Sequence, residues 1–190
     1  KEKPNIFIER IFPSLMKHLK NYEKKARIRD DQGDYWWEMR PCAYYDEFGK
    51  EKIIYPNMTK YLPFALDFNK MYVNQKCFIL ITNSVSLRFL LACFNSKISS
   101  MWIRNNCPEL QGGTRELSYI FFKNIPLPHL YPSKEHIVKQ IEKLVDRILE
   151  AKKQNPYADT RDSEQEIDNL VYELYGLTEE EIKFIEKNRE

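Results

Sequence analysis

The residues able to make or break bonds are present in this chain, but never in the spacing that such chemistry requires. Cys42, Cys77, Cys93 and Cys107 are far apart and form no CxxC pair, and His18, His129 and His136 build no HExxH or mixed Cys/His cluster. Neither a structural zinc site nor a disulfide framework is therefore expected. The usual constellation for metal-dependent DNA cleavage places a Pro-Asp dipeptide upstream of Glu-x-Lys, and no such dipeptide is present. Here Glu23 with Lys25 and Glu181 with Lys183 are only the spacings that charged helices produce by chance. The paired Gly112 and Gly113 match neither GxGxxG nor a phosphate-binding loop. There is also no GxSxG elbow, no Asn-Pro-Pro-Tyr segment and no glycine-rich methionine-cofactor loop. No catalytic residue and no metal ligand is assigned, so the chain is not read as an enzyme by itself.

A different chemistry is concentrated in "DYWWEMRPCAYYDEFGKEKIIYP", Asp34 to Pro56, where six Trp and Tyr residues sit with Arg40, Lys50 and Lys52. Flat rings with polar tips beside cations serve equally well to wall a core, to stack on bases or to anchor a partner. The charge map sharpens the question. The overall charge of +2 is the sum of an acidic end, Asn155–Glu190, with four Lys and Arg against eleven Asp and Glu (net −7), and a body, Lys1–Gln154, of +9. A basic body suits a polyanion through counterion release, and it also suits simple solubility.

The elements that must position these residues are legible from periodicity. Phe12, Leu15, Met16 and Leu19 recur at helical spacing, with Ser14 beside Pro13 as a cap, and "DDQGDY" then breaks the pattern as a loop. Strand signals follow in "KIIYP", "FALDF", "MYV" and "CFILIT", close enough together to pair antiparallel. Leu87, Leu90, Leu91, Phe94, Ile98, Met101 and Trp102 predict one long helix packed on that sheet. "PELQGGTRELSYIFFKNIPLP" reads as a glycine-bearing loop ending in an extended segment closed by Pro126 and Pro128.

Ile137, Ile141, Leu144 and Ile148 mark an amphipathic helix. Ser163 with Glu166 suggests a capping box for a second helix ending at Gly176, and Thr178 with Glu181 suggests another for a short third. The expected class is α/β of the α+β kind: a small, mostly antiparallel sheet lobe with a packed long helix, then a C-terminal helical appendage. The opening residues lack the apolar core of a signal peptide, and the most apolar run is interrupted by Asn83, Ser84, Ser86 and Arg88. The chain is thus read as cytoplasmic, with no membrane partner.

Five ordered blocks carry a family resemblance. They are "FPSLMKHLKNYEKKARIRDDQGDYWWEMRPCAYYDEFGKEKIIYPNMTK", "LLACFNSKISSMW", "PELQGG", "FFKNIPLP" and "ADTRDSEQEIDNLVYELYGLTEEE". Together they resemble the TaqI-like C-terminal specificity domain, the target recognition domain of type II restriction-modification N6-adenine DNA methyltransferases and of fused restriction-methylation enzymes. The resemblance runs from Phe12 to about Ile185. "IPLP" followed by an amphipathic helix is similar to the end of target recognition units in type I specificity subunits. What this implies is a lobe that reads double-stranded DNA, covalently linked to an N-terminal methyltransferase domain that binds S-adenosylmethionine and flips adenine; no cofactor is expected in the present chain. The implied division is a basic helical connector over 1–30, a target recognition lobe over 31–132 and a helical scaffold or docking region over 133–190.

Within that frame, residues with paired donors and acceptors on sheet-edge loops are the candidates for reading base edges. They are Asn57, Thr59 and Lys60; Asn74, Gln75 and Lys76; and Gln111, Thr114 and Arg115. Lys24, Lys25, Arg27, Arg29, Arg40, Lys50 and Lys52 are the candidates for phosphate contact. Arg40, beside Trp37 and Pro41, is equally suited to stacking or to pairing with Glu38 or Asp46. Since "DYWWEMRPCAYYDEF" belongs to a block shared with the family, most of its rings are read as framework. The competing reading is a protein-interaction module whose helices dock a methyltransferase or partner subunit with little DNA affinity of its own.

Overall fold

The computed structural model describes residues 3–187, so the outermost residues of the expected 1–30 and 133–190 segments lie outside the described residues. The chain divides into two compact units, Lys1–Tyr45 and Asp46–Glu190.

The first unit carries α1 (Pro4–Ile11), α2 (Pro13–Lys20) and α3 (Glu23–Ala26). Pro4 and Pro13 occupy first-turn positions, where a missing N–H costs nothing. Ser14 is therefore inside α2 rather than its cap, and Phe12 stands at the cap position without a side-chain bond. Of the predicted stripe, Met16 is buried, while Phe12 and Leu15 remain exposed. The loop that follows is closed by an isolated bridge between Gln32 and Met39 and by Gly33 N–H donating to the Glu38 carbonyl at 3.1 Å. A Cβ at Gly33 would lie 2.6 Å from Glu38 Cβ and 2.8 Å from the Met39 carbonyl oxygen, so only glycine fits. Tyr35 stacks on Trp37 at 4.7 Å, and Trp36 meets Trp37 edge-on at 5.6 Å. These three rings pack on one another.

The second unit is an α+β fold with two antiparallel three-stranded sheets. β1 (Lys52–Pro56), β3 (Ala65–Asp67) and β4 (Cys77–Leu80) form one in the order β3-β1-β4; β2 (Met58–Thr59), β5 (Glu109–Leu110) and β6 (Thr114–Glu116) form the other in the order β2-β6-β5. Three of the four predicted strands are present. "MYV" is not one: residues 71–73 belong to the β3–β4 loop, because the chain turns sharply just after Asp67 and leaves Met71 and Tyr72 exposed.

The helices α4 (Leu87–Phe94) and α5 (Lys97–Asn106) replace the single long helix expected from the apolar stripe. Asn95 and Ser96 interrupt it: Asn95 Nδ2 donates to the Phe64 carbonyl at 2.9 Å, and Ser96 Oγ caps α5 by accepting from Ser99 N–H while donating to the Cys93 carbonyl. Local side-chain bonds thus outcompete one turn of helix. A short helix, α6 (Tyr119–Phe122), also occupies what was read as extended chain ahead of the prolines, and it places Phe122 against Tyr55 with ring centroids 4.3 Å apart.

The C-terminal helices are α7 (Glu135–Gln154), α8 (Arg161–Tyr175) and α9 (Glu179–Lys187). α8 begins ahead of the predicted Ser163–Glu166 box, with Thr160 Oγ1 donating to Glu164 at 2.6 Å. Gly176 ends it in the left-handed region, and Thr178 with Glu181 forms the predicted reciprocal cap of α9. α4 packs against β1 and β3 and also against α7 and α8, forming the middle layer. Phe89 and Cys93 of α4 pack with Ile53, Leu117, Ile137, Ile141, Val171 and Tyr172 in one buried core. Lys97 is enclosed by Gln165, Asp168 and Glu186 and ties α5 to α8 and α9. Burial pushes the Asp168 carboxyl upward against that attraction.

Candidate nucleic-acid interface

Asn57 lies between β1 and β2, and its backbone joins all three predicted loops. Its N–H donates to the Lys76 carbonyl at 2.8 Å, and its carbonyl accepts from Leu117 N–H at 2.7 Å. β2 pairs with β6 so that Thr59 faces Arg115, and β5 pairs with β6 so that Glu109 faces Arg115 and Leu110 faces Thr114. Segments 57–60 and 111–115, more than 50 residues apart in sequence, are therefore neighbours across the small β2-β6-β5 sheet, and 74–76 joins them through Asn57.

The nine side chains there fall into distinct roles. Lys60, Gln75, Lys76 and Gln111 are exposed, and among the described residues their side chains have no partner. Arg115 is paired with Glu109 at 2.8 Å, which fixes its guanidinium on the sheet surface. Three others are committed to local structure. The Thr59 hydroxyl bonds to both backbone groups of Tyr61, Asn74 Oδ1 accepts from Lys76 N–H at 3.0 Å, and the Thr114 hydroxyl donates to the Gln111 carbonyl at 3.1 Å. Asn57 Oδ1 is buried, as is the nearby Ser118 Oγ, and neither has a hydrogen-bond partner. Asn57 is half-buried, with its side-chain acceptor turned inward and its backbone tying the two sheets. Gly112 and Gly113, with φ of 78° and 75°, turn the chain between Gln111 and Thr114 where side chains are rarely tolerated.

The phosphate candidates also divide. Lys52 is a correction: its side chain is 0% exposed and ion-paired with Asp67, and a lysine with no exposed atoms cannot meet a phosphate. Arg29 is another, since its guanidinium donates inward to the carbonyls of Trp36 and Glu38 and closes the aromatic loop. Arg27 pairs with Glu23 at 2.6 Å and Lys50 with Glu47 at 2.7 Å, both at the surface. Lys24, Lys25 and Arg40 are exposed, with unpartnered side chains among the described residues. Within the first unit Arg40 does not pair with Glu38 among the described residues.

Sequence reasoning missed Lys70, Met71 and Tyr72, all exposed on the loop that ends in Asn74, Gln75 and Lys76. Their signal was "DFNK", an Asx-turn pattern that the strand-like Tyr and Val of "MYV" masked. Tyr61, directly after Lys60, is likewise exposed.

Near this surface the Cys107 thiol is pushed up by burial, and deeper in the core Cys93 is pushed up to about 12 by the same cause, so neither is a ready nucleophile. Among the described residues no group of three His, Cys, Asp or Glu side chains could hold a metal ion, and no helix is long and apolar enough to cross a membrane.

The sequence matches the family described as the TaqI-like C-terminal specificity domain over residues 7–127, well over half the chain, and the protein belongs to that family. The matched span contains all three loops and ends before α7. Membership carries a target-recognition role in restriction-modification, in a specificity rather than a catalytic family. No curated protein matches the chain.

Proposed function

We propose that this protein recognises a specific double-stranded DNA sequence and serves as the target recognition domain of a type II restriction-modification N6-adenine methyltransferase, alone or fused to an endonuclease. The observation that carries this reading is the convergence of the 57–60, 74–76 and 111–115 loops around β2-β6-β5, with Lys60, Gln75, Lys76 and Gln111 exposed and unpartnered. Lysines supply phosphate contacts that set register, and glutamines, with Arg115 held by Glu109, supply the paired groups that distinguish base edges. In this reading S-adenosylmethionine binds a covalently linked methyltransferase domain. Residues 1–30 connect to that domain, 31–132 read the target and 133–190 brace or dock it, within the cytoplasm.

Fluorescence anisotropy with short duplexes across a salt series tests the DNA contact. If about four phosphates are neutralised, a fourfold rise in salt lowers affinity about 100-fold, and Lys60→Ala with Lys76→Ala reduces the logarithmic salt slope by about two. A second reading, a docking module with little DNA affinity, draws on the exposed Ile6, Phe7, Ile11, Phe12 and Leu15 of the first unit. Salt-independent or undetectable DNA binding, together with stabilisation by a methyltransferase domain, is the result that favours it.

A further inference from the structure

The buried Lys52 and Asp67 stand directly opposite each other in the β1–β3 register, and Lys52 Nζ also donates to the Phe48 carbonyl at 2.8 Å. Asp67 does more than neutralise the lysine. Its Oδ1 accepts from Asn69 N–H at 2.8 Å, and the Oδ2 that meets Lys52 accepts from Met71 N–H at 2.9 Å. One carboxylate thus folds the chain back over residues 68–71, and Lys70 between these anchors takes a positive φ of 56°, unusual for any residue with a Cβ. At its other end the loop is closed by the Asn74–Lys76 turn, by Cys77 N–H donating to the Asn74 carbonyl at 3.0 Å and by Asn57 N–H on the Lys76 carbonyl. A segment fixed at both ends nevertheless leaves Met71 55% exposed and Tyr72 69% exposed, the Tyr72 ring leaning on the buried Phe48 at 4.8 Å, flanked by the exposed Lys70 and Lys76.

A buried ion pair is a poor device for stability alone, because desolvation offsets most of its attraction and an apolar pair would serve as well. What apolar residues could not supply is two acceptors for the amides of Asn69 and Met71. We infer that the Lys52–Asp67 pair is a positioning device for a reading loop, residues 68–76, which presents Met71 and Tyr72 to the base edges of a DNA duplex while Lys70 and Lys76 hold the backbone on either side. The inference rests on the DNA-recognition reading above and extends its 74–76 segment back along the same loop to residue 68. The occupant is set by charge: apolar tips between two unpartnered lysines fit thymine methyl groups or a base step within a polyanion better than an apolar protein surface.

The test uses the full chain and a duplex selected for tight binding, compared with the same duplex carrying single base-pair changes. In the Lys52→Met/Asp67→Leu variant, the loop loses its anchors while the core stays filled. Non-specific affinity and its salt slope are expected to remain within about twofold, while discrimination against at least one changed base pair falls about 10-fold. A merely structural role moves melting temperature without moving that ratio. Met71→Ala, which leaves every backbone anchor in place, is expected to lose discrimination at an A·T pair. Unchanged discrimination in Met71→Ala, or in a folded Lys52→Met/Asp67→Leu protein, overturns the inference.

In the unaltered protein the amides of Asn69 and Met71 should exchange with solvent much more slowly than that of Lys70; equal, fast exchange overturns the anchor regardless of the variants. If the unaltered protein prefers no duplex, the recognition reading falls and this inference with it. Discrimination that survives the variants removes the loop alone.

Discussion

Asp67 shows how a single carboxylate can decide what a neighbouring lysine is for. Burial opposes its ionisation, but hydrogen bonds from Lys52 and from the amides of Asn69 and Met71 outweigh this and hold the carboxyl below the ordinary aspartate range. A carboxyl whose folded-state value is depressed contributes stability above the unfolded value of about 4, and that contribution is lost as pH falls through the lower folded value. Acid unfolding followed by circular dichroism should therefore show a stability loss below about pH 4 that is reduced in Lys52→Met/Asp67→Leu. An identical acid profile in the two proteins would contradict this role. In the sequence, Lys52 looked like one of several strand-edge cations. Its burial depends on a partner 15 residues away in the fold's register, which no local pattern encodes. Asn57 is a similar case, a polar turn residue in sequence whose backbone joins two sheets in the structure.

At the scale of elements, apolar periodicity located most helices and strands, and short polar residues decided where they end. The stripe from Leu87 to Trp102 continues across Asn95 and Ser96 in sequence, yet the helix does not, because both side chains bond to backbone carbonyls. Ser96 is almost fully buried and caps α5, so Ser96→Ala is expected to cost about 1–2 kcal/mol in urea unfolding. No loss would mean that the break between α4 and α5 is set by packing alone. The three candidate loops were legible as turns because Asn, Gln, Gly and Lys cluster between strand signals. Their convergence was not, since it requires β2 to pair with β6 across more than 50 residues. The first half of the β3–β4 loop was hidden by "MYV", whose strand-like composition yields to the turn that Asp67 imposes.

Over the whole molecule, the charge division seen in the sequence becomes a division between elements. The acidic end forms α8 and α9, which attach chiefly through α4, α5 and α7, whereas the unpartnered cations Lys60, Lys70 and Lys76 lie on loops bordering the sheets. Such a distribution favours approach of a polyanion by the sheet loops and disfavours approach by the helices. Neutralising the exposed Glu166 and Glu180 with glutamine should therefore tighten non-specific DNA binding at low salt and leave it unchanged at high salt, as read by anisotropy. Tightening that persists at high salt would point instead to a direct contact by these helices.

Sequence reading by this chain is tested most directly by selection from a random duplex library. The full protein is incubated with the pool, bound duplexes are recovered over several rounds, and the enriched sequences are aligned. A recognition domain built from these loops predicts convergence on one short motif, with enrichment lost when Gln75 and Gln111 are replaced by alanine and largely retained when Lys24 and Lys25 are. A recovered pool with no shared motif would contradict target recognition by this chain, whatever its affinity for DNA.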